Sequence, residues 1–117
     1  MIKYEAIESF LKEFKIKLKI WGVLFLGREK NLQTLADLEI TPKYREEVLS
    51  NLEIIDYSKG PITDKILRGV DLWVFGKRIK GQEVYIKITL GNANEKVLCI
   101  SFHLAEYSMQ YPIKRNL

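Results

Sequence analysis

The sequence predicts an α+β domain in which helices pack on one face of an antiparallel β-sheet. Two segments late in the chain, Glu83–Leu90 and Lys96–His103, alternate apolar and polar residues with a period of two, which is typical of half-buried strands. The loop GNANEK between them has the glycine and asparagine content of a hairpin connection. The first half of the chain instead spaces its apolar residues as amphipathic helices do. The element order α-β-α-α-β-β-β therefore indicates the α+β class, and the length of 117 residues predicts a single domain, residues 1–117.

The first 38 residues are predicted to form two helices with a strand between them. Helical spacing of apolar residues predicts a helix over Tyr4–Leu18, although the alternation KIKLK near its end also fits extended chain. Ile20–Leu26 is the longest apolar run and is predicted to be a short buried strand. Lys30–Leu38 is predicted to be a second helix, with an apolar set made of Leu32, Leu35, Ala36 and Leu38.

A third helix is predicted to begin at Thr41-Pro42, where a hydroxyl caps the first free amides and proline fits the first helical position. It runs to about Leu52 and is expected to bury Tyr44, Val48, Leu49 and Leu52. The segment Asp56–Asp64 contains Gly60-Pro61 and is predicted to be a loop.

Leu72–Ile79 is the next strand, and Lys80-Gly81 reads as a tight turn into Glu83–Leu90. A two-residue turn would place Phe75 opposite Ile86 and Trp73 opposite Ile88 on the core side. The opposite face would then carry Val74, Gly76 and Arg78.

In the second hairpin, pairing Tyr85 with His103 would place Leu90 opposite Leu98 and leave a compact loop. This register keeps the apolar residues on one side of the sheet. The other side would carry Tyr85, Lys87, Cys99, Ser101 and His103. A face with a phenol, an ammonium and the only imidazole of the chain can bind anions and move protons.

Composition excludes several classes of protein. Cys99 is the single cysteine, so neither an intramolecular disulfide nor a cysteine metal cluster is possible. The apolar runs are too short to cross a bilayer and the N-terminus lacks a signal-peptide core, which predicts a cytoplasmic protein without a membrane partner. A net charge of +4 and a pI near 9.1 favour a polyanionic or acidic partner.

The segment EVYIKITL, followed after a polar loop by a strand ending in CISFH, resembles the final hairpin of the MqsR-type toxins. The resemblance extends back through Trp73–Phe75, through Leu52, Asp56 and Lys59 in LEIIDYSKGP, and through the helix pair around LADLEI, about residues 28–103. It implies a RelE-like fold and an mRNA interferase that cleaves single-stranded mRNA without a metal or other cofactor. It also implies a cognate antitoxin, expected to be a helix-turn-helix DNA-binding protein encoded beside the toxin.

The resemblance further implies a set of site residues. The family's lysine before the sheet falls on Lys59, its strand tyrosine on Tyr85, and its closing basic residue on His103 in place of lysine. The family's glutamine after the strand tryptophan is Val74 here, so that role is missing.

The chemistry of such a site can be stated from the residues. Metal-free RNA cleavage uses the ribose 2′-OH as nucleophile and needs a base, cations around the phosphorane and an acid for the departing 5′ oxygen. His103 is the best acid–base candidate, because histidine ordinarily has a pKa near neutrality. Lys59 could stabilise phosphorane charge, and Tyr85 could contact a phosphate or stack on an unpaired base. Further RNA contacts are predicted from Lys87, Arg78 and Ser101.

Two functions from different classes remain open. One is a ribonuclease toxin, favoured by His103 and Tyr85, and the other is a non-catalytic RNA- or protein-binding module of the same fold, favoured by Val74. The segment AEYSMQYP, Ala105–Pro112, could either cover the sheet edge or line the site.

Overall fold

The computed structural model describes residues 4–64 and 69–113, and within them it has α+β architecture. Three α-helices and one 3₁₀ turn precede most of the sheet. The helices are α1 (Tyr4–Trp21), α2 (Glu29–Leu38) and α3 (Tyr44–Ser50), and the 3₁₀ turn is Ile54–Asp56. In this described part of the chain, no helix is long and apolar enough to span a membrane.

Five strands form one mixed sheet in the order β1-β5-β4-β3-β2. The strands are β1 (Val23–Phe25), β2 (Tyr57–Asp64), β3 (Val70–Ile79), β4 (Gln82–Thr89) and β5 (Val97–Leu104). β3, β4 and β5 pair antiparallel, as predicted; β2 also pairs antiparallel to β3, whereas β1 pairs parallel to β5. The α+β class is therefore confirmed, and the sheet is mixed.

The boundary between α1 and β1 differs from the prediction. The KIKLK segment is helical and α1 continues to Trp21, so that Ile20 lies on the helix and is 65% exposed. Gly22 then ends the helix with a φ of 87°, and its N–H donates to the Leu18 carbonyl. Only three residues remain for β1, and Leu24 at its centre is half exposed. The prediction of a buried strand over Ile20–Leu26 is thus wrong in length and in burial.

The predicted loop Asp56–Asp64 is instead the edge strand β2. Its register against β3 shifts twice, between the pairs Tyr57–Phe75 and Lys59–Val74 and again before Ile62. Pro61 is tolerated because an edge strand needs hydrogen bonds on one side only. Turn-forming residues in this segment therefore make an irregular edge rather than a loop.

The β3–β4 hairpin has the predicted register. Phe75 faces Ile86 and Trp73 faces Ile88. Lys80 and Gly81 form the two-residue turn with φ angles of 50° and 80°, the positive values that a type I′ hairpin turn requires.

The main core lies between this sheet and the helices. The Phe10 ring of α1 stacks on Trp73 with ring centroids 4.6 Å apart, and Phe14 and Phe75 extend the aromatic cluster. Val48, Leu49 and Leu52 are buried as predicted.

Two predicted core residues lie at the surface. Tyr44 is 39% exposed and Leu32 is 54% exposed. Helix α2 instead buries Asn31, Thr34 and Leu38, because its inner face contacts the backbone of β5 as well as the apolar core.

Candidate active site

A β-bulge in β5 determines which side chains reach the second face of the sheet. Tyr85 pairs with His103 as predicted, and Lys87 pairs with Ser101. The next pair is Ile88 with Cys99, so that Ile100 is an extra residue without a partner position on β4. The register shift reverses the predicted faces for the rest of β5.

Two predictions for β5 are corrected by this bulge. Leu98 faces Thr89 rather than Leu90. Cys99 is 1% exposed and belongs to the core, so it does not share a face with Ser101 and His103. Burial raises the pKa of the Cys99 thiol to about 12.

Helix α2 stabilises the bulge and the strand beyond it through two buried polar side chains, Asn31 and Thr34, which were not predicted to be part of the site. The Asn31 amide donates to the carbonyl of Ile100 at 3.1 Å, and its oxygen accepts from the Phe102 N–H at 3.0 Å. The Thr34 hydroxyl accepts from the Leu104 N–H at 3.1 Å. These bonds satisfy backbone groups of β5 beyond the end of β1, and they fix the strand that carries Ser101 and His103. An asparagine among leucines on the inner face of a helix was the available sequence signal.

The central feature of the second face is a ring stack between Tyr85 and His103. Their ring centroids are 5.2 Å apart with an interplanar angle of 15°. The Nδ1 of His103 lies 2.9 Å from the Leu104 carbonyl oxygen, which can only accept, so Nδ1 carries a proton. In the neutral imidazole, Nε2 therefore holds the lone pair and is the atom able to accept a proton.

Tyr85 supplies a neutral donor beside this imidazole. Burial raises its pKa above the ordinary value, so the phenol stays protonated at neutral pH and can donate a hydrogen bond. The Lys87 ammonium lies 5.9 Å from the centroid of the Tyr85 ring. The next strand, β3, contributes Val74, which is fully buried opposite Lys87 and presents no polar group.

These residues form the floor of a cleft of about 880 Å³. Its walls come from β2, from the start of α2 and from the segment after β5. Lining residues include the predicted Lys59, Tyr85, Lys87, Ser101 and His103. Four basic side chains line the cleft, against the two carboxylates Glu29 and Glu106; they are Arg28, Lys30, Lys59 and Lys87. A cleft with this charge favours anionic ligands.

The basic residues that line the cleft differ from those predicted: two unpredicted residues line it, and the predicted Arg78 does not. Arg28, immediately before α2, and Lys30, in its first turn, line the cleft although they are far from the hairpin in sequence. Arg78 is exposed beside the β3–β4 turn, donates to the Gly81 carbonyl at 2.6 Å, and is not among the lining residues.

The remaining wall is the segment Ala105–Ile113, which we call the tail. Its Glu106 forms an ion pair with Lys30 at 2.9 Å. The hydrogen bond and the charge of Lys30 lower the pKa of this carboxyl. The tail lines the cleft from Glu106 to Gln110, which decides between the two alternatives that the sequence left open.

Among the described residues, no group of three or more His, Cys, Asp and Glu side chains is arranged to hold a metal ion. A scan against protein-family models gives no match, and searches of curated proteins and of solved structures give none either.

Proposed function

We propose that this protein is an endoribonuclease of RelE-like fold that cleaves single-stranded RNA without a metal ion, and that it acts as the mRNA-cleaving toxin of a type II toxin–antitoxin pair. The support is the resemblance of its final hairpin to MqsR-type toxins, together with the chemistry of the cleft. Tyr85, Lys87, Ser101 and His103 share this cleft with three further basic side chains. We propose a cytoplasmic location on the same grounds.

The observation that carries the proposal is the contact between Nδ1 of His103 and the Leu104 carbonyl oxygen. A general base must offer a lone pair toward the substrate, and the Leu104 carbonyl leaves Nε2 to do so. The ring stack with Tyr85 adds a fixed orientation, since the imidazole is held on one face by the phenol ring.

The strand order suggests which residues lie on the two sides of a bound phosphate, where a general base and a general acid are needed. His103 lies on β5, Tyr85 and Lys87 lie on β4, and Lys59 lies on β2, three strand spacings or about 14 Å from β5. In an in-line displacement, the attacking and leaving oxygens lie on opposite sides of the phosphorus. A phosphate over Tyr85 and Lys87 would therefore have His103 on one side and the long Lys59 side chain on the other.

The reaction then has four parts. Nε2 of His103 takes the proton of the 2′-OH, and the 2′ oxygen bonds to phosphorus. Lys87 and the Tyr85 hydroxyl stabilise the negative charge of the phosphorane. The bond from phosphorus to the 5′ oxygen breaks, and that oxygen takes a proton from the Lys59 ammonium. The products are a 2′,3′-cyclic phosphate and a 5′-hydroxyl.

The test is cleavage of an unstructured RNA in excess EDTA, with the new ends mapped. The two product ends named above, formed without a metal, are the expected result. A requirement for Mg²⁺, or a 5′-phosphate at the cut, would overturn the mechanism. Lys59→Ala and Lys87→Ala should weaken cleavage and reduce its dependence on salt concentration, because RNA binding releases fewer counterions with each phosphate contact that is lost. Lys12→Ala, on the exposed surface of α1, serves as the charge-matched control.

The proposed antitoxin would bind a basic surface, and it is expected from the neighbouring gene. Co-expression should yield a complex that survives moderate salt if its contact has an apolar centre, because salt screens rim charges within about 8 Å. Growth arrest by this protein alone, relieved by the neighbour, is the expected cellular result. A harmless protein that binds no neighbour would argue against the toxin role.

A second candidate, a non-catalytic RNA-binding module, is favoured by Val74. Its side chain is fully buried, so β3 supplies no polar group opposite Lys87. The basic cleft would still bind RNA. RNA binding with no cleavage, at any pH between about 5 and 8, the interval in which histidine ordinarily changes charge, would select this candidate.

A further inference from the structure

The tail is fixed to the sheet at both ends of its cleft-lining portion. At its start, the Ala105 N–H donates to the Glu83 carbonyl at 2.9 Å and Glu106 pairs with Lys30. Further on, the Tyr111 hydroxyl donates to the Glu83 carboxylate at 2.7 Å. Burial and this carboxylate raise the pKa of Tyr111, which keeps the hydroxyl protonated as the donor. Ile113 then packs against the core.

Gly76 provides the space for this arrangement. A Cβ at residue 76 would lie 2.1 Å from the Tyr111 hydroxyl oxygen and 2.8 Å from the adjacent ring carbon, so the ring occupies the volume of a side chain. Gly76 faces Tyr85 across the β3–β4 pair. The tail therefore crosses β4 next to the Tyr85–His103 stack and ends on β3.

Between its two attachments the tail presents Tyr107 at the cleft. Tyr107 lines the cleft and is 86% exposed, the largest exposure among the large apolar side chains of the described residues. It follows His103 by four residues, so their Cα atoms are at most about 14 Å apart. An exposed ring at this distance from a phosphate site matches the stacking platforms on which proteins bind unpaired bases.

We infer that the tail forms a nucleobase subsite in which Tyr107 stacks on an unpaired base next to the scissile phosphate. The inference rests on the proposed function, because it takes the strand cleaved at His103 to be the strand bound by the tail. It specifies the ligand further: the nucleotide beside the cut must be unpaired, since a base inside a duplex offers no free face.

The test measures binding separately from cleavage. The probe is a short fluorescent RNA that wild-type protein cuts at a mapped position, with a 2′-deoxy nucleotide at that position to remove the nucleophile. Tyr107→Ala should weaken binding roughly 5- to 150-fold, the range expected for one stacked base. Tyr107→Phe keeps the ring and should bind as wild type does.

A set of probes with one abasic nucleotide each identifies the stacked base. At one position beside the cut, the abasic probe should bind wild-type protein more weakly, and Tyr107→Ala should cause no further loss on that probe. If wild-type protein cleaves RNA but Tyr107→Ala binds every probe equally well, the subsite is disproved and the proposed function stands. If wild-type protein neither binds nor cleaves RNA, both fail.

The attachment of the tail is tested by releasing it. Tyr111→Ala removes the ring without changing the sheet, and Gly76→Ala displaces the ring by filling its space. Each should reproduce most of the Tyr107→Ala loss, and neither should add to it in a double variant. Circular dichroism of both variants checks the fold. If Gly76→Ala does not fold, Tyr111→Ala alone tests whether RNA binding requires the attachment of the tail. Wild-type binding by folded Tyr111→Ala would disprove the role of the attachment.

Discussion

The two hairpins that share β4 are built in opposite ways. The β3–β4 hairpin has seven consecutive residue pairs and a two-residue turn, with no shift in register. The β4–β5 pair shifts by one residue after Lys87. The regular hairpin separates a core face from a cleft face, and the bulged one decides which residues of β5 belong to each. The β3–β4 hairpin therefore has a regular register throughout, whereas the set of β5 side chains that line the cleft depends on the bulge in the β4–β5 hairpin.

The bulge changes the set of reactive groups on the cleft face. Without it, Cys99 would join Ser101 and His103 on the same side, because side chains alternate along a strand. With it, the thiol enters the core while the serine and the imidazole remain at the cleft. One inserted residue thus removes an oxidisable nucleophile from the cleft.

The largest expected effect on the rate of RNA cleavage comes from replacing His103, which lies on β5 in the bulged hairpin. We expect His103→Ala to lower the rate of RNA cleavage about 10²- to 10⁴-fold, the usual cost of losing a positioned general base. The free energy of unfolding should change little, because the side chain is only partly buried at the cleft. Tyr85→Phe should also weaken cleavage by removing a donor.

Arg78 on the regular hairpin provides the comparison for this series. It donates to the turn and does not line the cleft, so Arg78→Ala should reduce cleavage less than Lys87→Ala does. RNA cleavage by His103→Ala at the wild-type rate would show that the general base is not on the bulged hairpin.

Thiol chemistry tests the bulge directly. The raised pKa of Cys99 lowers its thiolate fraction relative to an ordinary thiol, and burial blocks access of a reagent as well. Labelling at pH 8 should therefore be much slower in the folded protein than in urea. A variant with Cys99→Ala and Leu98→Cys moves the thiol to a half-buried position outside the core and should label faster. Faster labelling of the wild-type protein than of this variant would contradict the bulge and indicate a regular register in β5.

The same thiol gives a pH dependence with a defined sign. Because its pKa is higher in the folded protein than in the unfolded chain, its contribution to stability is present below the ordinary value of 9.0 and is lost as the pH rises toward about 12. The free energy of unfolding should fall over that interval. Cys99→Ala, measured in parallel by urea titration, should lose this component of the pH dependence.

Asn31 should be the strongest stability determinant of the bulge. Asn31→Ala leaves the buried Phe102 N–H and the Ile100 carbonyl without partners, and we expect a loss of about 2–4 kcal/mol in the free energy of unfolding. Cleavage should also fall, because β5 carries His103. The control is Leu32→Ala on the exposed side of the same helix, expected to stay within about 0.5 kcal/mol of wild type. Equal stability of the two variants would mean that the bulge does not depend on α2.

The smallest effect is expected at the turn of the regular hairpin. A Cβ at Gly81 meets no atom within 4 Å, so Gly81→Ala costs only the backbone strain of a positive φ, about 1–2 kcal/mol. Cleavage at saturating RNA should be unchanged, since the turn is not part of the cleft. Lys80→Asn, at the other positive φ, should be neutral or slightly stabilising because asparagine tolerates this conformation. Thermal unfolding monitored by circular dichroism measures both variants.

Local patterns were sufficient to predict the regular hairpin and the grouping of Tyr85, Lys87, Ser101 and His103. Alternation and a turn dipeptide act between neighbours in the chain, and Tyr85 pairs with His103 before the bulge interrupts the register. The bulge could not be predicted because the Asn31 amide that stabilises it is 69 residues from Ile100 in sequence.

Other parts of the structure also depend on distant contacts. Strand β2 contains Gly60 and Pro61, which favour a loop locally but are compatible with an edge strand once β3 is beside them. Arg28 and Lys30 reach the cleft only because α2 packs along β5. The tail follows the same rule, since Gly76 has no sequence feature that connects it to Tyr111.

The pairing of β1 with β5 has a consequence for how the chain folds. This parallel pair and the Asn31 bonds join segments about 70 residues apart, and closing such a loop has to precede the contacts that stabilise it. During synthesis, α1 and α3 leave the ribosome long before their partner strands. The cleft is complete only when the segment through Gln110 has emerged. We therefore expect slow folding of the isolated chain, and a nascent polypeptide that has no activity toward the message that encodes it.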